Sequence, residues 1–486
     1  MVFSSHVFIF YFLPLVLAVY FLLPLRGKHV ALTLFSYVFY GWANPWFILL
    51  MMFQTVVDWA VGMTLAGLWG KPASAPVPLL DPRGPRTRAQ KIALAAGLVS
   101  NLALLAFFKY FNFGLDNWNA VMTSSGLETA RWDTALRITL PLGISFYTFQ
   151  SMSYAIDVYR GDARAIRSIL DYMCYVAMFP QLVAGPIIRF QDVADQFLER
   201  THTLEKFARG VAFFALGLAK KILLANPCGK VADTVFDAGT AATLDAWYGV
   251  CAYAFQIYFD FSAYSDMAIG LGLMLGWVFA KNFDSPYQSR SITEFWRRWH
   301  LSLSTWLRDN LYIPLGGNRR GEVRTYFNLL ATMVLGGLWH GASWNFIIWG
   351  AIHGGMLACE RLLGKDSAYA RLPGPVKTAI TFVIVLFTWV FFRAKDLPAA
   401  LAYCRTMLAL GGPPTAGSDL LAGLIYRPYF VVSFLAAAVV VWACPQTWDF
   451  TRRLTWPKAV WVAGLLLLSI ALMETQAFNP FIYFIF

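Results

Sequence analysis

The chain has 486 residues, of which 58% are hydrophobic, 17% aromatic and only 14% charged, with a mean hydropathy of +0.54. A soluble domain carries about 25% charged residues, so most of this chain faces something other than water. The formal charge of +12 lies in loops between apolar runs, which argues against a nucleic-acid partner and fits positive-inside loops beside anionic lipid.

Taken in chain order, the apolar runs predict an all-α, polytopic transmembrane helical bundle, since no run alternates as a barrel strand would. The first span, from about His6 to Pro24, ends in Arg26, Lys28 and His29, a basic flank that puts this loop in the cytosol and the N-terminus outside. No basic residue precedes Arg26, so this span is expected to be retained rather than cleaved as a signal peptide. Val30 to Trp42, an Asn44-Pro45 turn and a run to about Leu68 follow, and then a basic, Pro-rich cytosolic connection from Gly70 to Lys91. Spans are expected at Ile92 to Phe111 and Leu140 to Val158. Ile169 to Ile188 contains Pro180, Gly185 and Pro186 and reads as a broken, re-entrant element, tolerated at membrane depth only where it lines a cavity or is buried in protein.

Phe207 to Asn226 and Trp247 to Trp277 cross next. The connection from Lys281 to Arg324 holds eight basic residues and is expected in the cytosol. Within it Phe295, Trp296, Trp299, Leu303, Trp306 and Leu307 recur at helical spacing, predicting one amphipathic helix at the interface. Spans at Tyr326 to His340, Trp344 to Leu362, Val376 to Phe392, Phe430 to Cys444 and Val460 to Met473 bring the total to about eleven to thirteen membrane elements. No internal repeat is evident, and residues 1–486 read as a single domain.

Ionisable groups at membrane depth are costly and are functional candidates by default. Lys109 and the Lys220-Lys221 pair sit near span ends, where they can snorkel, and Asp58 and Asp157 can pair with basic loops. Asp260 and Asp266 share an apolar run with Ser262 and Tyr258, a polar face that suits either a lined cavity or a buried network. His340 stands in Gly336-Gly337-Leu338-Trp339-His340-Gly341, roughly 20 Å along its span from the cytosolic end. Imidazole there can take a hydroxyl or thiol proton, and the glycines leave room for a substrate; position alone suits equally a neutral His bonded to a neighbouring carbonyl. His300, four residues after Trp296, is expected on the same apolar stripe, where packing among interfacial tryptophans is the alternative to a site role; in the site reading the two imidazoles stand within roughly 10 Å and line one continuous cavity. His353 is expected to line that cavity. Six scattered cysteines without C-x-x-C spacing, and no His pair at i,i+4, predict no disulfide framework and no metal site.

These residues resemble the membrane-bound O-acyltransferases, in the bacterial branch that serves alginate and other exopolysaccharide O-acetylation. The resemblance runs through Pro141-Leu142-Gly143-Ile144-Ser145-Phe146-Tyr147, Phe179-Pro180-Gln181-Leu182-Val183-Ala184-Gly185-Pro186, Asp260 to Asp266, Phe295-Trp296-Arg297-Arg298-Trp299-His300, Tyr312 to Arg319, Trp339-His340-Gly341 and the terminal Phe481-Ile482-Tyr483-Phe484. It implies catalysis by His340 assisted by His300; Arg298, Arg308, Asp260, Asp266 and His353 are expected on the substrate side from their own positions in the chain. It also implies acetyl-CoA as donor, a periplasmic acetyltransferase partner, polysaccharide synthesis machinery nearby and a place in the inner membrane among its lipids. A transporter or flippase of a polar or lipid-linked solute is the rival reading, because broken helices and intramembrane Asp and His suit it too.

Overall fold

The computed structural model describes all residues except 135, 240, 365–366, 411–416, 477–478, 480 and 482–486; the terminal motif beyond Phe481 therefore lies outside the described residues. The described chain is an all-α polytopic bundle. Among the described residues five helices are long and apolar enough to cross a membrane: Trp46–Leu65, Arg88–Ser124, Trp344–Leu363, Gly374–Arg393 and Trp456–Thr475; Val7–Leu22 and Pro428–Ala443 are shorter apolar helices. Other runs expected as spans carry polar groups or breaks that the protein interior satisfies.

The chain divides into two compact units. One comprises residues 1–210 and 271–280, the other 211–270 and 281–486. In the first unit, Arg88–Ser124 opens with a capping box in which Thr87 and Gln90 bond each other's backbone N–H, satisfying two donors the first turn leaves orphaned. Asp58 and Lys109 are buried within the unit. Asp58 accepts from Gln54 (3.0 Å) and Asn101 (2.8 Å) rather than pairing with a basic loop, and Lys109 lies 3.3 Å from Ser145 instead of snorkelling. Asp157 likewise accepts from Ser153 and from the backbone of Gln191. Ile169–Ala177 stops at Met178 and a single turn, Phe179–Leu182, follows. The break expected near Pro180 is present, and the whole of it is buried in protein, with Tyr175, Ala177, Phe179 and Leu182 fully covered.

In the second unit, Glu322–His340 and Trp344–Leu363 form an antiparallel pair around a three-residue turn. Glycines set its separation. A Cβ on Gly337 would stand 2.2 Å from the Phe346 carbonyl, and one on Gly350 2.3 Å from that of Met333. Small residues let backbones approach where lipid supplies no hydrophobic drive between helices. Gly337 and Gly341 are thus filled by Phe346 and leave no room for substrate, whereas Gly336 faces open space beyond Leu307.

The single amphipathic helix expected over residues 295–307 is broken. Ile292–Trp296 and Leu301–Leu307 are separate short helices, with His300 between them in the left-handed region at φ 45°, ψ 55°. The hydrophobic spacing continues across the break, which is why periodicity alone runs the two together. What stops the helix is pairing with residues 282–284: Asp284 N–H donates to the Arg298 carbonyl and Leu301 N–H to the Asn282 carbonyl, each at 2.9 Å.

Candidate active site

His340 is the last residue of its helix and is 7% exposed. Its ring meets Trp339, Trp349 and Phe392 near edge-on at 5.0, 5.3 and 5.2 Å between centroids. It lines a cavity of about 420 Å³ whose walls include Thr332, Met333 and Gly336 on successive turns of the same helix, Trp349 opposite, and Arg297 and Arg308. The cavity therefore runs along the helix from a polar, basic part to an imidazole among aromatic rings.

His300 does not line that cavity. It is fully buried, and its ring lies 6.0 Å from the Trp339 indole that also touches His340. The two histidines both contact the Trp339 indole, but the cavity that His340 lines does not include His300, so the expected continuous cavity through both is interrupted by aromatic packing. Asn282 fixes the His300 tautomer. Its Oδ1 accepts from Ser302 N–H and from the Ser302 hydroxyl at 2.8 Å, so it must also accept from His300 Nδ1–H at 3.1 Å. The Asn282 amide in turn donates to Ser265. In the neutral imidazole Nε2 then holds a bare lone pair, and it has no hydrogen-bond partner among the described residues. A non-glycine residue in the left-handed region costs of order 1–3 kcal/mol and persists where its surroundings over-determine it; Asn282 and the 282–284 pairing supply that constraint.

His353 sits behind the cavity wall rather than on it. Its Nδ1 accepts from the Trp296 indole N–H at 3.3 Å, so Nε2 carries the proton and donates to Thr388 Oγ1 at 3.2 Å, whose hydroxyl passes on to the Val385 carbonyl. Both nitrogens are satisfied, and the side chain acts by holding Trp296, which does line the cavity.

Of the two arginines expected on the substrate side, Arg308 lines the cavity while in a two-point contact with Asp309, and Arg298 is held by Glu294 at 2.8 Å away from it. The residue the sequence reading missed is Arg297, which is exposed, lines the cavity and has no ion pair among the described residues. Asp260 and Asp266 are not on the cavity either. Lys221 pairs with Asp260 and Lys220 with Asp266, each at 2.7 Å, and Thr447 donates to Asp266 at 2.6 Å. The lysines expected to snorkel are turned inward through a π-turn at Lys220–Ala225, and the buried-network reading of the aspartates is the one their contacts fit. Among the described residues no cluster of three His, Cys, Asp or Glu could hold a metal ion.

A sequence profile of the membrane-bound O-acyltransferase family matches residues 93–395, a stretch that includes both histidine sites and the cavity between Arg297 and His340. The protein of Azotobacter vinelandii described as "Probable alginate O-acetylase AlgI" is 44% identical over the full length of both chains. Its counterpart from Pseudomonas aeruginosa is 49% identical over 85% of this chain and 75% of its own. A peptidoglycan O-acetyltransferase of Helicobacter pylori is 35% identical over 85% of this chain and 80% of its own. With a buried histidine closing a basic-mouthed cavity in a polytopic helical bundle, and matches of this extent, the chain belongs to the membrane-bound O-acyltransferase family.

Proposed function

We propose that this chain is an inner-membrane O-acetyltransferase that takes acetyl from a cytosolic thioester, acetyl-CoA, and delivers it for O-acetylation of an extracytoplasmic polysaccharide. One observation carries the reading: His340 lines a cavity that also contains Arg297, which has no ion pair among the described residues. A donor with anionic phosphates, a slender arm and a thioester matches that sequence of surfaces, with charge at Arg297 and Arg308 and the reacting carbon at the imidazole. His340 takes the proton of the attacking hydroxyl as the new C–O bond forms, and returns it to the thiolate released when the C–S bond breaks. His300, with its Nδ1 proton committed to Asn282, packs against the far side of Trp339 and helps position that indole beside His340. Arg298, Asp260, Asp266 and His353 support the site from outside the cavity.

In this reading the two units act as one catalytic domain over residues 1–486. The Lys281–Arg324 stretch faces the cytosol, the broken Ile169–Ile188 segment is re-entrant, and the bundle has more membrane elements than its five long apolar helices. A periplasmic acetyltransferase partner, close to the polysaccharide synthesis machinery, receives the acetyl group. The relatives named for alginate are more similar in identity than the one named for peptidoglycan, which favours alginate or another exopolysaccharide over peptidoglycan as acceptor. The test is transfer itself. Purified protein in vesicles is supplied with acetyl-labelled acetyl-CoA, and release of CoA together with label on an acceptor hydroxyl supports the proposal. Movement of an intact solute without CoA release would replace it with a transporter.

A further inference from the structure

A second polar cluster lies in the first unit, and none of its residues is among those that line the His340 cavity. Lys28, in the first turn of Leu25–Gly41, places its ammonium 5.1 Å from the Tyr20 ring and 5.5 Å from that of Phe21. Arg200 donates from Nε to the Tyr20 hydroxyl at 3.1 Å and from one terminal nitrogen to His29 Nε2 at 2.7 Å, with its guanidinium 4.5 Å from Trp277. Tyr20 gives its own proton to the Leu275 carbonyl, so it accepts from His202 Nε2 at 3.1 Å as well as from Arg200. Lys206 is tied to Thr201 on the same connection.

The charges do not balance. Among the described residues the one carboxylate bonded into this cluster is Asp171, and it is committed to His29 Nδ1 at 2.6 Å. His29 therefore reaches Arg200 as a neutral acceptor and leaves the guanidinium uncompensated, with one terminal nitrogen lacking any acceptor among the described residues. Lys28 has no anionic partner among the described residues. Burial first, and then the positive charge of Lys28, Arg200 and Lys206, pushes the His202 imidazole below its ordinary value. A partly desolvated group of cations attracts an anion strongly, because little solvent screens it.

The surroundings say which anion. The rim exposes Phe21, Leu22, Leu25, Leu198 and Leu204, the last at 84%, and Phe21 stacks edge-on with both His202 and Phe207. A free phosphate has no use for such a rim, whereas a lipid needs a basic headgroup site and an apolar flank together. We propose that Lys28, Arg200 and His202 form a specific site for the headgroup of an anionic phospholipid, whose acyl chains lie along the Phe21, Leu22 and Leu25 flank. The site is independent of the catalytic reading.

The full-length protein, purified in neutral detergent, is titrated with dioleoyl phosphatidylglycerol or dioleoyl phosphatidylcholine, and bound lipid is counted by native mass spectrometry. Phosphatidylglycerol is expected to bind the first site more tightly by at least fivefold. Lys28→Gln should weaken that binding about fivefold, the effect of one surface charge near an anionic headgroup. Lys28→Arg should retain it, and Lys91→Gln, an exposed charge on another helix, should leave it unchanged. Lys28 is not part of the buried hydrogen-bond network, so its variants should elute as the wild type does. Equal retention of the two lipids, or phosphatidylglycerol binding unmoved by Lys28→Gln, would overturn the proposal. Displacement of the lipid by millimolar inorganic phosphate would overturn the assignment to a lipid in favour of a simple phosphate site.

Discussion

His340 and His353 stand thirteen positions apart on the two arms of one antiparallel helix pair, and both rings pack against Trp349, at 5.3 and 4.8 Å. They nevertheless do different things. His353 has both nitrogens committed, one to Trp296 and one to Thr388, and is sealed from the cavity. His340 ends its helix at the cavity wall. Proximity to the same indole therefore does not make two buried histidines equivalent. What separates them is access: the His340 ring lines the cavity, whereas the His353 ring lies behind Trp296 with both nitrogens committed to protein partners.

The sharpest way to break this contrast is to remove each ring. His340→Ala should lower CoA release from acetyl-CoA by about 10²–10⁴-fold, the range a positioned general base contributes. Membrane insertion, followed by fractionation and gel filtration, should be unchanged. Wild-type turnover in that variant would transfer the catalytic role elsewhere. His300→Ala is expected to cost less, about 10- to 100-fold in kcat, because the ring acts from behind Trp339. Asn282→Ala should follow it in the same direction, since it frees the tautomer that Asn282 imposes; if the two variants differ in sign, the Asn282–His300 hydrogen bond is incidental to catalysis.

His353→Ala should behave differently again. It leaves the Trp296 indole N–H and the Thr388 hydroxyl without their partner, a loss of about 1–3 kcal/mol each at most where the group stays buried. The expected signature is a lower unfolding midpoint and a raised KM through a loosened Trp296, with kcat kept within about tenfold. A kcat loss as deep as that of His340→Ala, in protein that unfolds at the wild-type temperature, would put His353 in the chemistry.

Much of the bundle is readable from hydrophobic runs. Trp344–Leu363, Gly374–Arg393 and Trp456–Thr475 fall within a few residues of the expected spans, because an apolar stretch of about 20 residues has few other fates. His340 is readable for the same reason, as an ionisable group at the end of an apolar run. Hidden from the sequence are the features made by pairing across long separations. Asn282 acquires its role from His300, eighteen positions later, and the backbone pairing of 282–284 with 298–301 breaks a helix whose apolar spacing never falters. Arg297 and Arg298 are neighbours of identical type, and the contacts of Arg298 with Glu294, one helical turn back, and with the Asp284 carbonyl hold it away from the cavity. Lys220 and Lys221 lie where snorkelling is the simpler expectation, and the π-turn that directs them inward leaves no mark in composition.

The smallest expected effect comes from the glycines beside His340, and it separates the packing face of that helix from its substrate face. Gly336 and Gly337 are adjacent, so helical geometry turns them about 100° apart. A methyl on Gly337 would meet the Phe346 carbonyl at 2.2 Å, backbone against backbone, and neither helix can yield without opening the pair. A methyl on Gly336 meets only Leu307 Cδ1, at 3.3 Å, the end of a flexible side chain on the cavity wall. Gly337→Ala should therefore reduce the yield of folded protein or lower its unfolding temperature. Gly336→Ala should fold as the wild type does and raise KM for acetyl-CoA a few-fold by narrowing the cavity, with little change in kcat. A kinetic assay paired with a thermal melt on both variants reads the distinction directly. If Gly336→Ala leaves KM untouched while Gly337→Ala destabilises, the cavity beside His340 is not the path of the thioester, and the donor must reach the imidazole from another side of the same helix.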